Sequence, residues 1–263
     1  MNDKLTTPYR LEFAVEVPGT PEQVWDAIAT GKGMSAWFLP ARLEERPGGA
    51  LRFDMGPEMG SDGEVVEWDA PHRIVYQEDW AALMGVDADL LSPMTSEFVV
   101  EAKSGGTCVV RVTTSGFGTG AEWEAQWWDS MGVNWKPYFD NLRLYLTEFA
   151  GQEATHLEAS ASHTSDGHAV WAAMRSAAGL GEQGSDFALR DVTGTVEHLG
   201  DLHALIHLTA PVPGMLTLSV FEVDEADTFA TIRAYLFGAD AEDYVQREQL
   251  NWQAWLEALP AGA

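Results

Sequence analysis

The chain predicts an α+β fold used twice in tandem, each unit a curved antiparallel sheet wrapped around a long C-terminal helix. Three observations lead there. First, short signatures recur in one order. Val24-Trp25-x-Ala27 returns as Val170-Trp171-x-Ala173, Phe117-Gly118-x-x-Ala121-Glu122 as Phe237-Gly238-x-x-Ala241-Glu242, and Asn134-Trp135 as Asn251-Trp252. The offset falls from 146 to 120 to 117 residues, so the second copy is a trimmed version of the first. Second, each half reads as strand, helix, several strands and helix. Third, each closes in a long amphipathic helix, and one helix cannot bury such an apolar stripe without a sheet to cover it.

The first half follows from local pattern. Leu11, Phe13, Val15 and Val17 alternate with Glu12, Ala14 and Glu16, a half-buried strand stopped by Pro18-Gly19. Thr20 is an N-cap, Pro21 suits the first helical position and Gln23 completes a capping box for a helix carrying Val24, Trp25 and Ile28. A short helix over 33–38 stops before Pro40. Strands follow at Leu51–Met55, at Val65–Trp68 and at Ile74–Trp80, with Asp69-Ala70-Pro71-His72 as the turn between the last two. Residues 81–94 break the pattern as an insertion, helical around 81–91. Strands 96–102 and 107–114 pair through Gly105-Gly106. From 121 to 149, Trp128, Met131, Trp135, Tyr138, Leu142, Tyr145 and Phe149 recur every three or four residues, the stripe of one long helix. Pro137 inside it predicts a kink.

The boundary falls at 150–153, giving units 1–150 and 151–263. In the second, a strand at 154–161 precedes a helix that Asp166 caps, that carries Val170, Trp171 and Met174, and that Gly179 closes. Strand-like runs near 192–199, 202–209, 215–223 and 228–237 lead to a closing helix over 240–259.

Composition excludes several classes. The 263 residues carry a formal net charge of −26. Residues 1–150 hold 24 acids against 11 bases and residues 151–263 hold 17 against 4, so each half contributes −13. With no basic segment, nucleic acid and anionic membrane surfaces are poor partners. The acidity reads as solubility. Cys108 is the one cysteine, in a strand pattern, so neither an internal disulfide nor a cysteine zinc site is available. Met1-Asn2-Asp3-Lys4 lacks a basic start followed by an apolar run, and no stretch reaches membrane-spanning length, so a cytoplasmic protein without membrane insertion is expected.

A sheet gripping a helix leaves a gap between them, and an aromatic-lined gap is the default ligand pocket. At this point residues 10–150 resemble a known family. Val15-x-Val17-x-x-x-Pro21-x-x-Val24-Trp25, the run Gly63-Glu64-Val65-Val66-Glu67-Trp68-Asp69-Ala70-Pro71-His72-Arg73-Ile74-Val75-Tyr76, and Trp135 with Asn141-Leu142 carry the likeness. The resemblance is to the START-related, Bet v 1-like helix-grip superfamily, SRPBCC. Within it, the chain is similar to the branch of the activator of the 90-kDa heat-shock protein's ATPase. The second half keeps the helix and C-terminal signatures but lacks the turn at 69–73 and the insertion. What the resemblance implies is the helix-grip fold and a hydrophobic cavity, not one reaction. Relatives include lipid binders, plant hormone receptors, polyketide aromatase/cyclases and co-chaperone domains.

Candidate residues are weighed against plain packing. Trp37, Phe53, Trp68, Tyr76 and Trp80 face the same space as Trp128, Met131, Trp135 and Tyr138 if their strands keep register, yet a core needs the same residues. Tyr76, Tyr138 and Tyr145 bring hydroxyls to that space. Glu78 shares a strand face with Ile74, Tyr76 and Trp80. Turned inward, its carboxyl is the catalytic candidate, because burial raises a carboxyl's pKa toward neutrality; turned to the strand end, it reaches water. Glu122 and Glu124 are explained by their place at a helix start. Arg52 and Arg111 alternate with apolar neighbours and are expected to face solvent, the alternative being one inward Arg that clamps a ligand carboxylate. His203 and His207 share a strand face near His198, but spacing supplies no third ligand, so no metal site is assigned. No nucleophile elbow, P-loop or dinucleotide glycine pattern is present, and no cofactor is implied.

The function expected is binding of a small hydrophobic or aromatic ligand, a lipid or metabolite, in the cavity of the first unit. The alternatives are an aromatase/cyclase-like enzyme using Glu78 as acid/base, and a co-chaperone-like interaction module. A homodimer or a chaperone is the protein partner these readings allow.

Overall fold

The computed structural model describes residues 5–56, 59–87, 89–222 and 228–260. Residues 1–4, Val223 and the side chain of Asn134 lie outside the described residues. The chain divides into two compact units, Met1–Glu153 and Ala154–Ala263.

The first unit runs β1 (Thr7–Pro18), α1 (Pro21–Ala29), α2 (Gly31–Ser35), β2 (Ala41–Leu43), β3 (Ala50–Gly56), β4 (Met59–Asp69), β5 (Arg73–Glu78), α3 (Trp80–Leu83), β6 (Met94–Ala102), β7 (Thr107–Gly118) and α4 (Glu122–Leu144). Its seven-stranded sheet has the order β1-β7-β6-β5-β4-β3-β2. Strands β2 to β7 form a meander, while α1 and α2 carry the chain from β1 at one edge to β2 at the other. The sheet packs on α4: Phe13 of β1 lies 5.4 Å from Phe139 and 6.3 Å from Trp135, centroid to centroid.

Local chemistry explains the helix starts. In α1, the Thr20 N–H donates to Gln23 Oε1 at 2.9 Å and the Gln23 N–H to Thr20 Oγ1 at 3.4 Å, the capping box the sequence predicts. α2 begins at Gly31 rather than at 33, because Thr30 Oγ1 accepts the Gly33 N–H at 2.9 Å and caps it. Gly33 is required there, since a Cβ would stand 1.9 Å from the Asp26 carbonyl oxygen.

Three expectations need correction. β5 ends at Glu78, so Trp80 opens α3 and does not continue the strand face of Tyr76. Among its described residues the insertion holds one helical turn rather than a helix over 81–91. β4 carries a register shift between Val65 and Glu67, which leaves Val66 48% exposed and changes the phase of Trp68. β2 is three residues long and too short to show as alternation. α4 continues through Pro137 and finishes in a π-helical turn at Tyr145–Phe149.

The second unit runs β8 (Ala154–His163), α5 (Gly167–Ala178), β9 (Asp186–Leu189), β10 (Val192–Leu199), β11 (His203–Ala210), β12 (Gly214–Glu222), β13 (Thr228–Phe237) and α6 (Ala241–Glu257). Its six strands take the order β8-β13-β12-β11-β10-β9, the same plan one strand shorter. Asp166 Oδ1 accepts the Ala169 N–H at 3.0 Å, and Gly179, left-handed at φ 59°, closes α5. The core gathers Trp171 and Met174 of α5, Ile206 and Leu216 of the sheet, and Trp252 and Leu256 of α6. The two copies diverge in detail: Phe117 is 52% exposed, whereas its counterpart Phe237 is sealed.

Candidate functional site

One cross-strand ladder in the first unit explains where polarity enters its core. Leu11, Thr114, Ser96, Tyr76 and Val65 face one another across β1, β7, β6, β5 and β4. Two residues further along β5, Glu78 sits between Gly63 of β4 and Met94 of β6. Period-two alternation therefore turns Tyr76 and Glu78 to the same inner face. Ser61, Tyr76, Glu78, Ser96 and Thr114 are all buried. They form a polar step within an otherwise apolar layer. Ser96 stands directly across from Tyr76, and Ser96 Oγ lies 3.3 Å from Thr114 Oγ1.

Glu78 is the chemical centre of that step. It is 4% exposed. Ser61 Oγ donates to its Oε1. The Trp80 indole N–H, itself buried, favours the carboxylate without reaching full hydrogen-bond geometry. Both donors are neutral, and among the described residues no Lys, Arg or His pairs with this carboxyl. Burial therefore dominates and pushes Glu78 up from 4.5 to about 7, against the smaller opposing pull of Ser61 and Trp80. Burial also raises the Tyr76 hydroxyl well above its ordinary value, with the nearby Glu78 charge adding to it.

Indoles roof the site. Trp80 lies 5.1 Å from Trp127, which meets Trp128 edge-on at 5.3 Å, and Trp128 stacks on Tyr9 at 5.5 Å and 9°. Glycine at 116 makes this possible, since a Cβ there would press the Trp128 ring at 3.2 Å. Glu124, at the start of α4, is a clasp rather than a reactive group. Burial would raise its pKa. The hydroxyl of Thr119 at 2.7 Å, the N–H groups of Gly120 and Thr119 at 2.9 and 3.0 Å, and the Tyr9 hydroxyl at 3.1 Å outweigh that and hold it below the usual carboxylate range.

The candidate lining residues separate into two groups. Trp37, Phe53 and Tyr76 are closed on all sides. Phe38, which the sequence reading passed over, ties that group together: it stacks on Trp135 at 5.0 Å and meets Phe53 at 5.4 Å and Tyr138 at 4.6 Å. The Trp37 indole N–H donates to the Ala27 carbonyl at 2.9 Å, and Asn141 Nδ2 to the Trp37 carbonyl at 3.2 Å. Trp128 and Trp135 are also buried. Trp80, Trp127, Met131 and Tyr138 keep part of their surface open. Trp68 packs instead edge-on against Trp25 of α1, 5.1 Å away. The Tyr145 hydroxyl accepts from the Gly151 N–H at 3.0 Å and secures the end of the long helix. At Gly132 of α4 an added Cβ would meet Leu11 Cδ2 of β1 at 3.4 Å, an ordinary van der Waals contact.

Ser61 and Trp127 were missed by sequence reasoning. Ser61 stands in Gly60-Ser61-Asp62-Gly63, which reads as a turn and carries no signal. Trp127 lies beside the predicted stripe, and the doubled Trp127-Trp128 is the one cue that could have found it. Arg52 forms ion pairs with Asp54 and Asp62, and Arg111 with Glu101, away from the site. In the second unit, His198 and His203 stack at 5.1 Å and His207 Nδ1 lies 3.8 Å from Glu197.

Two concavities belong to the second unit. An apolar hollow of 10 Å³ lies beneath Tyr244 and Trp252, too small for more than one water. A shallow groove of 420 Å³ runs along β8, lined by Ser160, His163, Gln253 and Glu257. The first is too small for a ligand and the second has no aromatic wall, so the chemistry points to the first unit.

Residues 18–147 match the family described as Activator of Hsp90 ATPase homolog 1-like protein. No curated protein matches the chain at a significant level. Among solved structures, protein MLL2253 from Mesorhizobium loti is 16% identical, with a TM-score of 0.46 over 54% of this chain and 98% of its own. The di-domain ARO/CYC BexL from the BE-7585A biosynthetic pathway is 15% identical, with a TM-score of 0.45 over 97% and 99%. The Aha1 dimer from Colwellia psychrerythraea is 17% identical, with a TM-score of 0.41 over 52% and 96%. Among the described residues no helix is long and apolar enough to cross a membrane. The first unit is thus similar, over residues 18–147, to the activator-of-Hsp90-ATPase-like family, and the second unit repeats the helix-grip plan with one strand fewer.

Proposed function

We propose that the first unit binds a small, largely apolar aromatic molecule between α4 and the sheet, against Trp80, Trp127, Met131 and Tyr138. One observation carries this reading: a buried carboxyl with neutral partners stands beside a cluster of partly open indoles. A core selected for stability alone gains nothing from an unpaired ionisable group in its interior. A ligand burying roughly 400 Å² of apolar surface gains on the order of 10 kcal/mol, and association costs leave about micromolar affinity. Titration with 3-ethylindole, followed by tryptophan fluorescence and native mass spectrometry, tests the proposal. Saturable one-to-one binding weakened by Trp127→Ala supports it; no binding up to the solubility limit removes it.

A second reading gives Glu78 a catalytic part, as an acid/base in a cyclisation that releases water. The midpoint near 7 favours it, because such a carboxyl gives and takes protons at neutral pH. Incubation with a poly-β-ketone thioester should then yield a product lighter by one water. Glu78→Gln should bind that compound and leave its mass unchanged. Equal turnover by the variant would remove Glu78 from the reaction.

A further inference from the structure

The charges around the site select among aromatic ligands. Glu78 is sealed against one face by β4, β6 and α3. These present Ser61, Met94, Ser96, Trp80 and Ala81, none of them charged. On its own strand its titratable neighbour is Tyr76, whose hydroxyl stays neutral throughout the physiological range. Behind Trp128 and Tyr9 stands Glu124, ionised and held by four donors. Arg52, on the strand beside β4, is held by Asp54 and Asp62. The chain as a whole carries −26. The local field and the global field therefore have one sign, and both attract cations. The indole faces of Trp80 and Trp127 add a third attraction of that sign, because the face of an aromatic ring is electronegative.

We infer that the molecule bound here is an organic cation, an amine carried on an aromatic body, with its ammonium against the Glu78 carboxylate and its ring against Trp80 and Trp127. This inference rests on the binding reading above and names its ligand class. An ammonium supplies what the carboxyl lacks within the protein, an opposite charge at hydrogen-bond distance. A carboxylate ligand meets the reverse: a buried acid, an acidic surround and, among the described residues, no basic side chain paired with Glu78. A neutral ligand fills the aromatic wall but leaves Glu78 as it was.

Three probes of one shape separate the cases: tryptamine, 3-ethylindole and indole-3-propionate. Calorimetry on the full chain at pH 8 should show tryptamine binding at least tenfold more tightly than 3-ethylindole, about 1.4 kcal/mol. Indole-3-propionate should bind more weakly than either. As pH falls from 8 to 5.5, Glu78 takes up its proton and the preference for tryptamine should fall severalfold, while the affinity for 3-ethylindole holds. Glu78→Gln should keep only the smaller preference for tryptamine that the indole faces and the acidic surround supply, and that preference should not change with pH. The wild-type pH profile keeps the test independent of how that variant folds. Equal binding of tryptamine and 3-ethylindole by the wild type overturns the inference and leaves the binding reading standing. Absence of binding by all three overturns both. A preference for tryptamine that is undiminished in Glu78→Gln overturns the assignment of Glu78.

Discussion

Replacing Glu78 by Gln should make the first unit less sensitive to pH, and the size of the effect follows from burial. Glu78 titrates near 7 in the fold and near 4.5 when exposed. The folded state therefore binds the proton more tightly than the unfolded state. The stability this supplies is complete below about 4.5 and is lost as pH rises through 7. At ~1.4 kcal/mol per pH unit, the whole effect is ~3 kcal/mol, and ~2.5 kcal/mol of it falls between pH 5 and pH 8.5. Glutamine occupies the same volume, can still accept from Ser61 and does not ionise. Urea unfolding of wild type and Glu78→Gln across that range is the assay. Tryptophan fluorescence reports mainly on the first unit, since of eleven tryptophans only Trp171, Trp252 and Trp255 lie in the second. All other titrating groups are common to both proteins and cancel in the difference. The variant should be near wild type at pH 5 and the more stable protein at pH 8.5. A difference that stays constant across the range would refute the reasoning, because Glu78 would then not titrate there.

Other substitutions test the framework that holds the site. Gly33→Ala should lower stability by more than ~3 kcal/mol in thermal unfolding, because its Cβ meets backbone at 1.9 Å and cannot be accommodated by a rotamer change. Trp37→Phe leaves the buried Ala27 carbonyl without its donor, and chemical denaturation should show a loss of about 1–3 kcal/mol. Glu124→Gln should cost about 1.5–3 kcal/mol at neutral pH through weakened charge-assisted bonds. Glu124 titrates below its ordinary value, so that deficit should shrink as pH falls through the folded pKa, below 4.5.

The framework was readable where chemistry is local. The Thr20–Gln23 capping box, the Asp166 cap and the Gly179 stop each depend on residues within a few positions, and each is found as its spacing predicts. The alternation in β1 and β7 was readable for the same reason. Features set by distant partners were not. Whether Trp80 continued β5 or opened a helix depended on where β6 stopped pairing, and Glu78–Met94 is the last pair. The bulge at Val65–Glu67 adds one residue to a strand whose composition does not change there. At the site, Glu78 could be picked out because it shares a period-two face with Tyr76. Its donor Ser61 is 17 residues away in a run that resembles a turn, and only the β4–β5 pairing brings the two together. The motif residues that carry the family likeness serve mostly structure. Asn141 fastens α4 to the Trp37 carbonyl, and Trp25 braces Trp68.

Ligand choice and pH response both turn on the buried Glu78 carboxyl changing charge near neutral pH. Carbon-13 NMR of the protein labelled at glutamate side-chain carboxyls measures it directly, with Glu78→Gln assigning the resonance. One carboxyl should titrate with a midpoint near 7, vanish in the variant and move to lower pH when tryptamine is added. A Glu78 resonance with its midpoint below 5 would contradict the account.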